Sequence, residues 1–376
     1  MRERLLLAGT AMAIAVASVS GAVACRTSTT AVGAPSVAKP GQVPRTSWGK
    51  PDLQGIWSRE VDIPLERPAK YANQEFFTDE ERAELDRRIA DIVNRESDES
   101  RRARGTERDV NSEFTQAPYT VHLPVGRRTS LIVDPPDGRI PPLTPEAKQT
   151  RDALRQFQLA LLQPTAACKE KHPGCAGGKY GPVSPRRNET PPVYLSGIGA
   201  GINRADGPED RGQNERCLGN PLPDFGSFTG GANQITQSPG EMSIVYEMLS
   251  GNNRVRNIPI GTVPHLPATI RQWWGDSRGR WEGDTLVVDV TNFSPKSGFQ
   301  GAHENLHLVE RWTRLDADTM EYAVTIDDPT TWTTSWTVKQ ELKKQSDAAN
   351  QIYYEPRFSA NACSVARAPR SSAARP

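Results

Sequence analysis

Residues 273–338 constrain the fold most strongly, because short β-branched runs alternate there with turn-forming residues. Glu282-Gly283-Asp284 forms a turn cluster between Arg280-Trp281 and the β-branched run at residues 285–290. The same strand character recurs upstream at residues 234–237, 242–248 and 255–260. Several short strands joined by tight turns predict a mainly β fold, either an antiparallel barrel or a sandwich.

Residues 55–57 read Gly-Ile-Trp, which resembles the opening strand of lipocalin-type barrels, where the indole closes one barrel end. Two helices are predicted beside the strands. Thr78 and Glu81 form a capping box, and Thr144 precedes Pro145 at a first helical position. We therefore predict one β-rich domain at residues 52–364. It is a lipocalin-like meander with long loops, and its two peripheral helices lie near residues 79–95 and 145–162.

The first 24 residues have the pattern of an export signal: two arginines, an apolar run and Ala22-Val23-Ala24 before Cys25. If the segment ending in Cys25 is read as a lipobox, the product is a lipoprotein lipidated on Cys25. If Ala22-Val23-Ala24 is read by an ordinary signal peptidase, the product is a soluble periplasmic protein. An uncleaved anchor is the third alternative. Residues 25–51 have the composition of a disordered tether, and residues 365–376 that of a disordered tail. We expect a periplasmic or outer-membrane lipoprotein that meets the membrane only through its N-terminal lipid.

The chain is almost neutral, with 46 Lys and Arg residues against 45 Asp and Glu residues. Loss of the leader removes Arg2, Glu3 and Arg4, which leaves the mature chain formally neutral. This balance gives no reason to expect a nucleic-acid partner. Residues 197–202 lack the last glycine of the dinucleotide-binding pattern, so no nucleotide cofactor is expected either. The oligomeric state is not indicated by the sequence.

Four cysteines besides Cys25 predict disulfides in an exported protein. They are Cys168, Cys175, Cys217 and Cys363, and they allow three pairings. The short loop between Cys168 and Cys175 favours local closure, which leaves Cys217 to pair with Cys363 by elimination. Metal binding by Cys168, His172 and Cys175 is the alternative, but it offers too few ligands.

Two enzyme-like motifs compete with the strand pattern. Residues 275–279 match the G-x-S-x-G nucleophile elbow, but that motif needs a strand-to-helix turn, and a hairpin follows here. Residues 303–307 read His-Glu-Asn-Leu-His and match the H-E-x-x-H zinc motif, which needs a helix to place His303 and His307 on one face. Leu306, Leu308 and Trp312 fit the period of a strand equally well. A zinc hydrolase is therefore kept as the weakest functional alternative.

Several segments together resemble a large uncharacterised family of exported bacterial proteins. These segments are RRTSLIVDPPDGR at 127–139, ERCL at 215–218, WGDSRGRWEGDTLVVD at 274–289, HLVER at 307–311 and DDPTT at 327–331. The resemblance extends from about residue 51 to residue 336. It implies that Cys217 pairs with a C-terminal cysteine, although Cys363 is displaced from the family position. Relatives have Ser where this chain has His303, and they end in a Cys-His-Glu-Gly-Asn segment that this chain lacks.

Two functions are compatible with this pattern. The first is a cell-envelope barrel that binds a small, partly apolar or aromatic molecule. Its mouth would be lined by Trp273, Trp274, Trp281, Trp312, Trp332 and Trp336. The candidate ligand-binding residues are Arg128, Glu215, Arg216, Arg271, Trp274, Arg278, Asp289 and Arg311.

The alternative is a cofactor-free acid/base enzyme on the same scaffold, namely an isomerase, hydratase or lyase. His307 or His265 would be the base, and Glu310, Asp276 or Glu282 would be the acid. Alternation along a strand would place Asp289 opposite Leu286, Val288 and Val290, on an outer face or in a pocket.

Overall fold

The computed structural model describes residues 42–103, 123–161, 184–194, 207–210, 213, 216, 218, 222–225, 232–246 and 254–345. The predicted leader, the predicted lipidation site Cys25, the four other cysteines, Glu215 and the tail from 365 lie outside these residues. No helix within them combines the length and the apolar character needed to cross a membrane.

Ten strands and two α-helices occur in the described part of the chain. The strands are β1 Gly55–Ser58, β2 Ile132–Asp134, β3 Ala232–Ser238, β4 Glu241–Tyr246, β5 Arg254–Pro259, β6 Asp276–Glu282, β7 Thr285–Thr291, β8 His307–Arg314, β9 Thr319–Asp327 and β10 Trp336–Lys344. The helices are α1 Asp79–Ala103 and α2 Pro145–Leu161. Short 3-10 turns occur at Ala69–Tyr71, Pro185–Asn188 and Pro208–Asp210.

All ten strands belong to one antiparallel sheet. Its order is β5-β4-β3-β1-β10-β9-β8-β7-β6, and β2 pairs with β10 beside this path. Strands β6 to β10 are consecutive neighbours, as are β3 to β5, so the sheet consists of two meanders joined through β1. The two ends of the path meet where Ile260 bridges Gly279. The mainly β fold and its antiparallel barrel are confirmed, and the sheet is a nearly closed barrel rather than a sandwich.

The seam between the barrel's ends depends on a glycine. The amide of Gly261 donates to the carbonyl of Gly279 at 2.9 Å. A Cβ on Gly279 would lie only 3.1 Å from Ile260 Cγ1 and 3.2 Å from Ile258 Cγ2. Glycine therefore allows the strand edges to approach closely enough to close the barrel.

The barrel interior is filled by large apolar side chains. Leu286, Val288 and Val290 of β7 alternate inward, as the period of a strand requires, and all three are fully buried. The bulkiest side chains of this core are Trp57, Trp312, Trp332 and Trp336, each at most 2% exposed.

Trp57 has the position expected from the Gly-Ile-Trp tripeptide. Its ring is fully buried, and its Nε1 donates to the carbonyl of Leu53 at 2.9 Å. The guanidinium of Arg314 lies 5.2 Å from the ring centroid and also donates to the carbonyl of Asp52. The Arg314 guanidinium therefore covers the Trp57 ring in a cation–π contact.

Both helices begin at the predicted residues. Thr78 and Glu81 make reciprocal capping bonds of 2.9 and 3.2 Å at the start of α1. Thr144 Oγ1 accepts from the amide of Ala147 at 3.1 Å before α2. Helix α1 extends to Ala103 rather than to residue 95.

The described end of the predicted tether, residues 42–51, contacts the barrel. Residues 42–51 form a turn in which Arg45 bridges Pro51. Arg45 also contacts Asp284 at 2.5 Å, in the turn between β6 and β7. The segment from residue 42 is therefore attached to the barrel.

Candidate functional site

A cleft of about 630 Å³ lies beside strand β10. Its lining comes from four separate parts of the chain: Arg59, Val61 and Ile63; Phe76 and Arg82; Arg127, Arg128 and Leu131; and Glu321, Lys339, Gln340 and Glu341. This volume lies within the range typical of small-molecule sites. Arg128 is the one sequence-predicted ligand residue in the lining.

The cleft occurs where β10 changes partner along one edge. Strand β2 pairs with residues 337–338, and β1 pairs with residues 343–344. The segment at residues 59–65 follows β1, crosses this interval and lies outside the sheet. Its far end is held beside β2, because the carbonyls of Pro64 and Leu65 accept from the amides of Leu131 and Ile132. The interval between β1 and β2 therefore forms an opening in the barrel wall.

The cleft combines an apolar wall with a basic rim. Val61, Ile63, Phe76 and Leu131 supply the apolar surface, and the Phe76 ring is 47% exposed. Five cationic side chains and two carboxylates line the cleft, which gives a positive excess. Four of those cations have carboxylate partners: Arg128 with Glu75 at 3.1 Å, Lys339 with Glu321 at 3.2 Å, Arg82 with Asp79 at 3.5 Å and Arg59 with Asp62 at 3.5 Å.

The barrel interior carries a buried polar network. Glu310 is fully buried and is paired with Arg256 through N–O distances of 3.0 and 2.8 Å. Tyr322 donates to the same carboxylate at 2.9 Å, and Arg256 donates to Tyr246 at 3.2 Å and to Ser277 at 3.0 Å. Burial raises the pKa of Tyr246 to about 12. Both tyrosines are therefore neutral hydrogen-bonding groups at physiological pH.

A second cluster joins two histidines and two carboxylates on the outer face of β6 to β8. Asp289 accepts from both histidines, with Oδ1 2.9 Å from His265 Nε2 and Oδ2 3.0 Å from His307 Nε2. His265 Nδ1 lies 2.8 Å from Asp276, whose other oxygen pairs with Arg278 at 2.7 Å. Because carboxylates only accept, both contacts of His265 are hydrogen bonds when each ring nitrogen carries a proton.

The bridging carboxylate shifts the titration of its partner. The hydrogen bond that His307 Nε2 donates to Asp289 raises the pKa of His307 above its ordinary value of 6.5. The same hydrogen bond lowers the pKa of Asp289 below 3.8. Both shifts favour a charged pair that connects β7 to β8.

Replacement of His307 by Gln should therefore cost stability in a pH-dependent way. The His307 contribution is fully present below pH 6.5 and is lost as pH rises through its raised folded-state pKa. The Asp289 contribution is present above pH 3.8 and is lost as pH falls through its lowered pKa. Since His307 is 40% exposed, solvent screening limits the effect to roughly 0.5–1 kcal/mol between these values.

Chemical denaturation of the wild-type protein and the His307→Gln variant at several pH values measures the difference in their free energies of unfolding. A difference that is flat from pH 4.5 to pH 9 would contradict the ion pair.

The catalytic candidates are divided between the two faces of the sheet. His307 and Glu310 lie on opposite faces of β8, because they are three positions apart and side chains alternate between the faces of a strand. They cannot act together on one substrate. His265, Asp276, Asp289 and His307 meet in the outer cluster.

The remaining candidates make local structural contacts. Glu282 pairs with Arg311 at 3.1 Å on the exposed surface. Arg271 donates to the carbonyls of Phe293 and Glu304. Trp274 lies 4.4 Å from the Arg254 guanidinium, and Arg216 lies 5.8 Å from the ring of Trp273. The tryptophans do not share one opening, since Trp332 and Trp336 pack on each other at 5.5 Å in the core.

The two enzyme motifs have strand or loop conformation. Residues 303–306 form a loop before β8, so no helix places the two histidines of the H-E-x-x-H motif on one face. His303 instead contacts the carbonyl of Ser297 at 2.7 Å. Residues 276–279 of the G-x-S-x-G motif lie within β6, and the turn at Gly283 leads into β7 rather than into a helix. Within the described residues, no group of three His, Cys, Asp or Glu side chains could hold a metal.

Comparison with known proteins adds little. No family model matches the sequence, and no curated protein matches it significantly. Among solved structures, a secretary abundant heat soluble (SAHS) protein from Ramazzottius varieornatus is 14% identical, over 33% of this chain and 78% of that chain. The TM-score of 0.23 is too low to support any inference from that likeness.

Sequence patterns missed most of the cleft. Phe76 and Gln340 come from segments far apart in the chain, and neither belongs to a motif recognised in the sequence. The one signal in the sequence was the pair of arginine residues at 127–128, at the start of the RRTSLIVDPPDGR segment.

Proposed function

We propose that this protein binds a small, partly apolar anion in the cleft beside β10. The single observation that carries the proposal is the combination, in one cavity of about 630 Å³, of an apolar wall with an excess of arginine. An aliphatic or aromatic body would cover Phe76, Ile63 and Leu131, and a negative group would be attracted to the basic rim.

The electrostatic part of the proposal depends on Arg127. Its side chain is exposed, and it makes no ion pair with a described residue. An arginine without a carboxylate partner offers five donors to an anionic ligand at no cost in a broken salt bridge.

Two fluorescent probes separate the apolar and the charged contributions. 1-Anilinonaphthalene-8-sulfonate carries a sulfonate, whereas N-phenyl-1-naphthylamine has the same aromatic body without a charge. We expect Phe76→Ala to weaken both probes by about 1–2 kcal/mol, or roughly tenfold, because buried ring surface is lost. Arg127→Gln should weaken only the sulfonate, by about 0.5–1 kcal/mol and less at high salt.

Matched surface variants control for nonspecific effects. Ile270 is 48% exposed, close to the 47% of Phe76, and it lies outside the cleft. Arg155 in α2 is an exposed arginine that likewise does not line the cleft. Ile270→Ala and Arg155→Gln should leave both affinities unchanged. Equal losses in the cleft variants and in these controls would refute binding in the cleft.

The outer histidine cluster supports a second candidate, an acid/base enzyme. The supporting observation is the carboxylate of Asp289 held between two imidazoles, which can orient a histidine for proton transfer. None of the four cluster residues His265, Asp276, Asp289 and His307 lines the cleft beside β10. Isomerase or hydratase activity that survives His307→Gln and His265→Gln would eliminate this candidate.

Export is part of the same proposal. It rests on the leader-like residues 1–24 and on Cys25, and the resemblance to exported bacterial proteins supports it. An N-terminal mass that corresponds to a diacylated Cys25 would support the lipoprotein, and an unprocessed Met1 would contradict export.

A further inference from the structure

One residue of β10 turns both of its main-chain polar groups into the opening in the barrel wall. In an antiparallel ladder, the amide and carbonyl of one residue point to the same side of the strand, and successive residues alternate sides. The amide of Lys344 donates to Asp318, on the β9 side, whereas the amide of Gln345 donates to Ile56 of β1. Odd-numbered residues therefore face β1 and β2, and Glu341 faces the interval between those two strands.

Neither flanking segment reaches the main chain of Glu341. After β1 the chain pairs elsewhere, since the carbonyl of Asp62 accepts from the amide of Gly126 at 2.8 Å. On the β2 side, the amide of Lys339 donates to the carbonyl of Leu131 at 3.0 Å, two residues before Glu341. Within the described part of the chain, the amide and carbonyl of Glu341 have no hydrogen-bond partner on this edge.

These two groups specify the chemistry of a ligand more closely than the charge of the rim does. A free amide and a free carbonyl on one strand edge are satisfied together by a group that donates and accepts on either side of one α-carbon. A fatty acid anion or an aryl sulfonate only accepts, so it leaves the carbonyl without a donor. An N-acylated amino acid supplies an N–H on one side of its α-carbon and a carboxylate on the other.

We propose that the ligand of the cleft is an N-acyl amino acid that pairs, as a short β-strand would, with the main chain of Glu341. Its amide N–H donates to the Glu341 carbonyl, and its carboxylate accepts from the Glu341 amide. Arg127 lines the same cleft and attracts the carboxylate, while the acyl chain covers Phe76 and Leu131. The inference rests on the proposed function of the cleft and names the class of ligand for it.

A single-atom change in the ligand tests this pairing in the wild-type protein. Decanoyloxyacetate has the chain, carbonyl and carboxylate of N-decanoylglycine, but an ester oxygen replaces the amide N–H. We expect N-decanoylglycine to displace N-phenyl-1-naphthylamine at a roughly tenfold lower concentration, because the ester leaves the Glu341 carbonyl without a donor. Equal affinities, or tighter binding of the ester, would overturn the pairing and leave cleft binding intact. If neither acid displaces the probe, the proposed function fails and this inference fails with it.

Two variants identify the acceptor of the ligand N–H. The side chains of Glu321 and Glu341 are the carboxylates that line the cleft, so each is a competing acceptor. Glu321→Ala and Glu341→Ala remove these carboxylates but keep the main chain of the sheet, and the preference for N-decanoylglycine over the ester should persist in both. Loss of the preference in either variant would assign the N–H to that side chain and overturn main-chain pairing.

Amide hydrogen exchange, followed by nuclear magnetic resonance, measures the second bond of the pair. Saturating N-decanoylglycine should slow exchange of the Glu341 amide by about tenfold or more, because the amide gains an acceptor. The Lys339 amide, which already donates to Leu131, should slow less. N-phenyl-1-naphthylamine has no oxygen acceptor and should not protect Glu341. Equal protection of Glu341 by both ligands would show exclusion of water rather than a hydrogen bond and would contradict the pairing.

Discussion

Replacing Glu310 by Gln should lower the free energy of unfolding by about 3–5 kcal/mol, the largest electrostatic effect expected in this protein. The substitution preserves shape but removes the charge that compensates Arg256 inside the barrel. Arg256 is 4% exposed, so its guanidinium cannot recover the lost interaction from water. Tyr322 also loses its charged acceptor, 2.9 Å away. Denaturant titration followed by circular dichroism measures the change.

Two further variants test the cause of that effect. Glu310→Leu combined with Arg256→Met removes both charges. We expect this double variant to recover most of the stability that Glu310→Gln loses, because no unpaired charge remains buried. Glu282→Gln removes an exposed carboxylate that pairs with Arg311 and Arg280, and it should change stability little because solvent screens exposed ion pairs. If Glu310→Gln were no more damaging than Glu282→Gln, the buried ion pair would not exist.

Replacing Trp57 by Ala should cost about 3–5 kcal/mol, because the side chain is fully buried and its loss opens a large cavity. The change also leaves Arg314 without the ring that it covers at 5.2 Å. Trp57→Phe keeps an aromatic ring but loses the donor to Leu53, and roughly 1–2 kcal/mol is expected. Thermal and chemical unfolding of the purified variants measure both values.

Trp48 provides the matched control, since it is 38% exposed in the segment before β1. Trp48→Ala should change stability by less than about 1 kcal/mol. A comparable loss from Trp48 and Trp57 would show that the Gly-Ile-Trp strand does not anchor the core.

The local periodicity of the sequence predicted the strands well. The β-branched run at residues 285–290 became β7, and the Glu282-Gly283-Asp284 cluster became its turn, with Gly283 at a φ of 60°. Such signals succeed because alternation and turn preference act over a few residues. The capping box at Thr78 succeeded for the same reason.

The partner of each strand could not be predicted in this way. Placement of β1 between β3 and β10 joins residues nearly three hundred positions apart, and that long-range pairing creates both the wall opening and the cleft. The inward orientation of Glu310 follows from alternation along β8, but its partner Arg256 lies 54 positions away on β5. Local motifs carried no information about these contacts.

Photocrosslinking locates a bound apolar anion most directly. A decanoate analogue that carries a diazirine near the end of its tail would be irradiated with the wild-type protein, with and without excess decanoate. We predict that the competed crosslinks map by peptide mass spectrometry to the cleft segments 59–63, 76–82 and 127–131. Competed crosslinks confined to the loop at 261–275 or to the outer face of β7 and β8 would contradict ligand binding in the cleft.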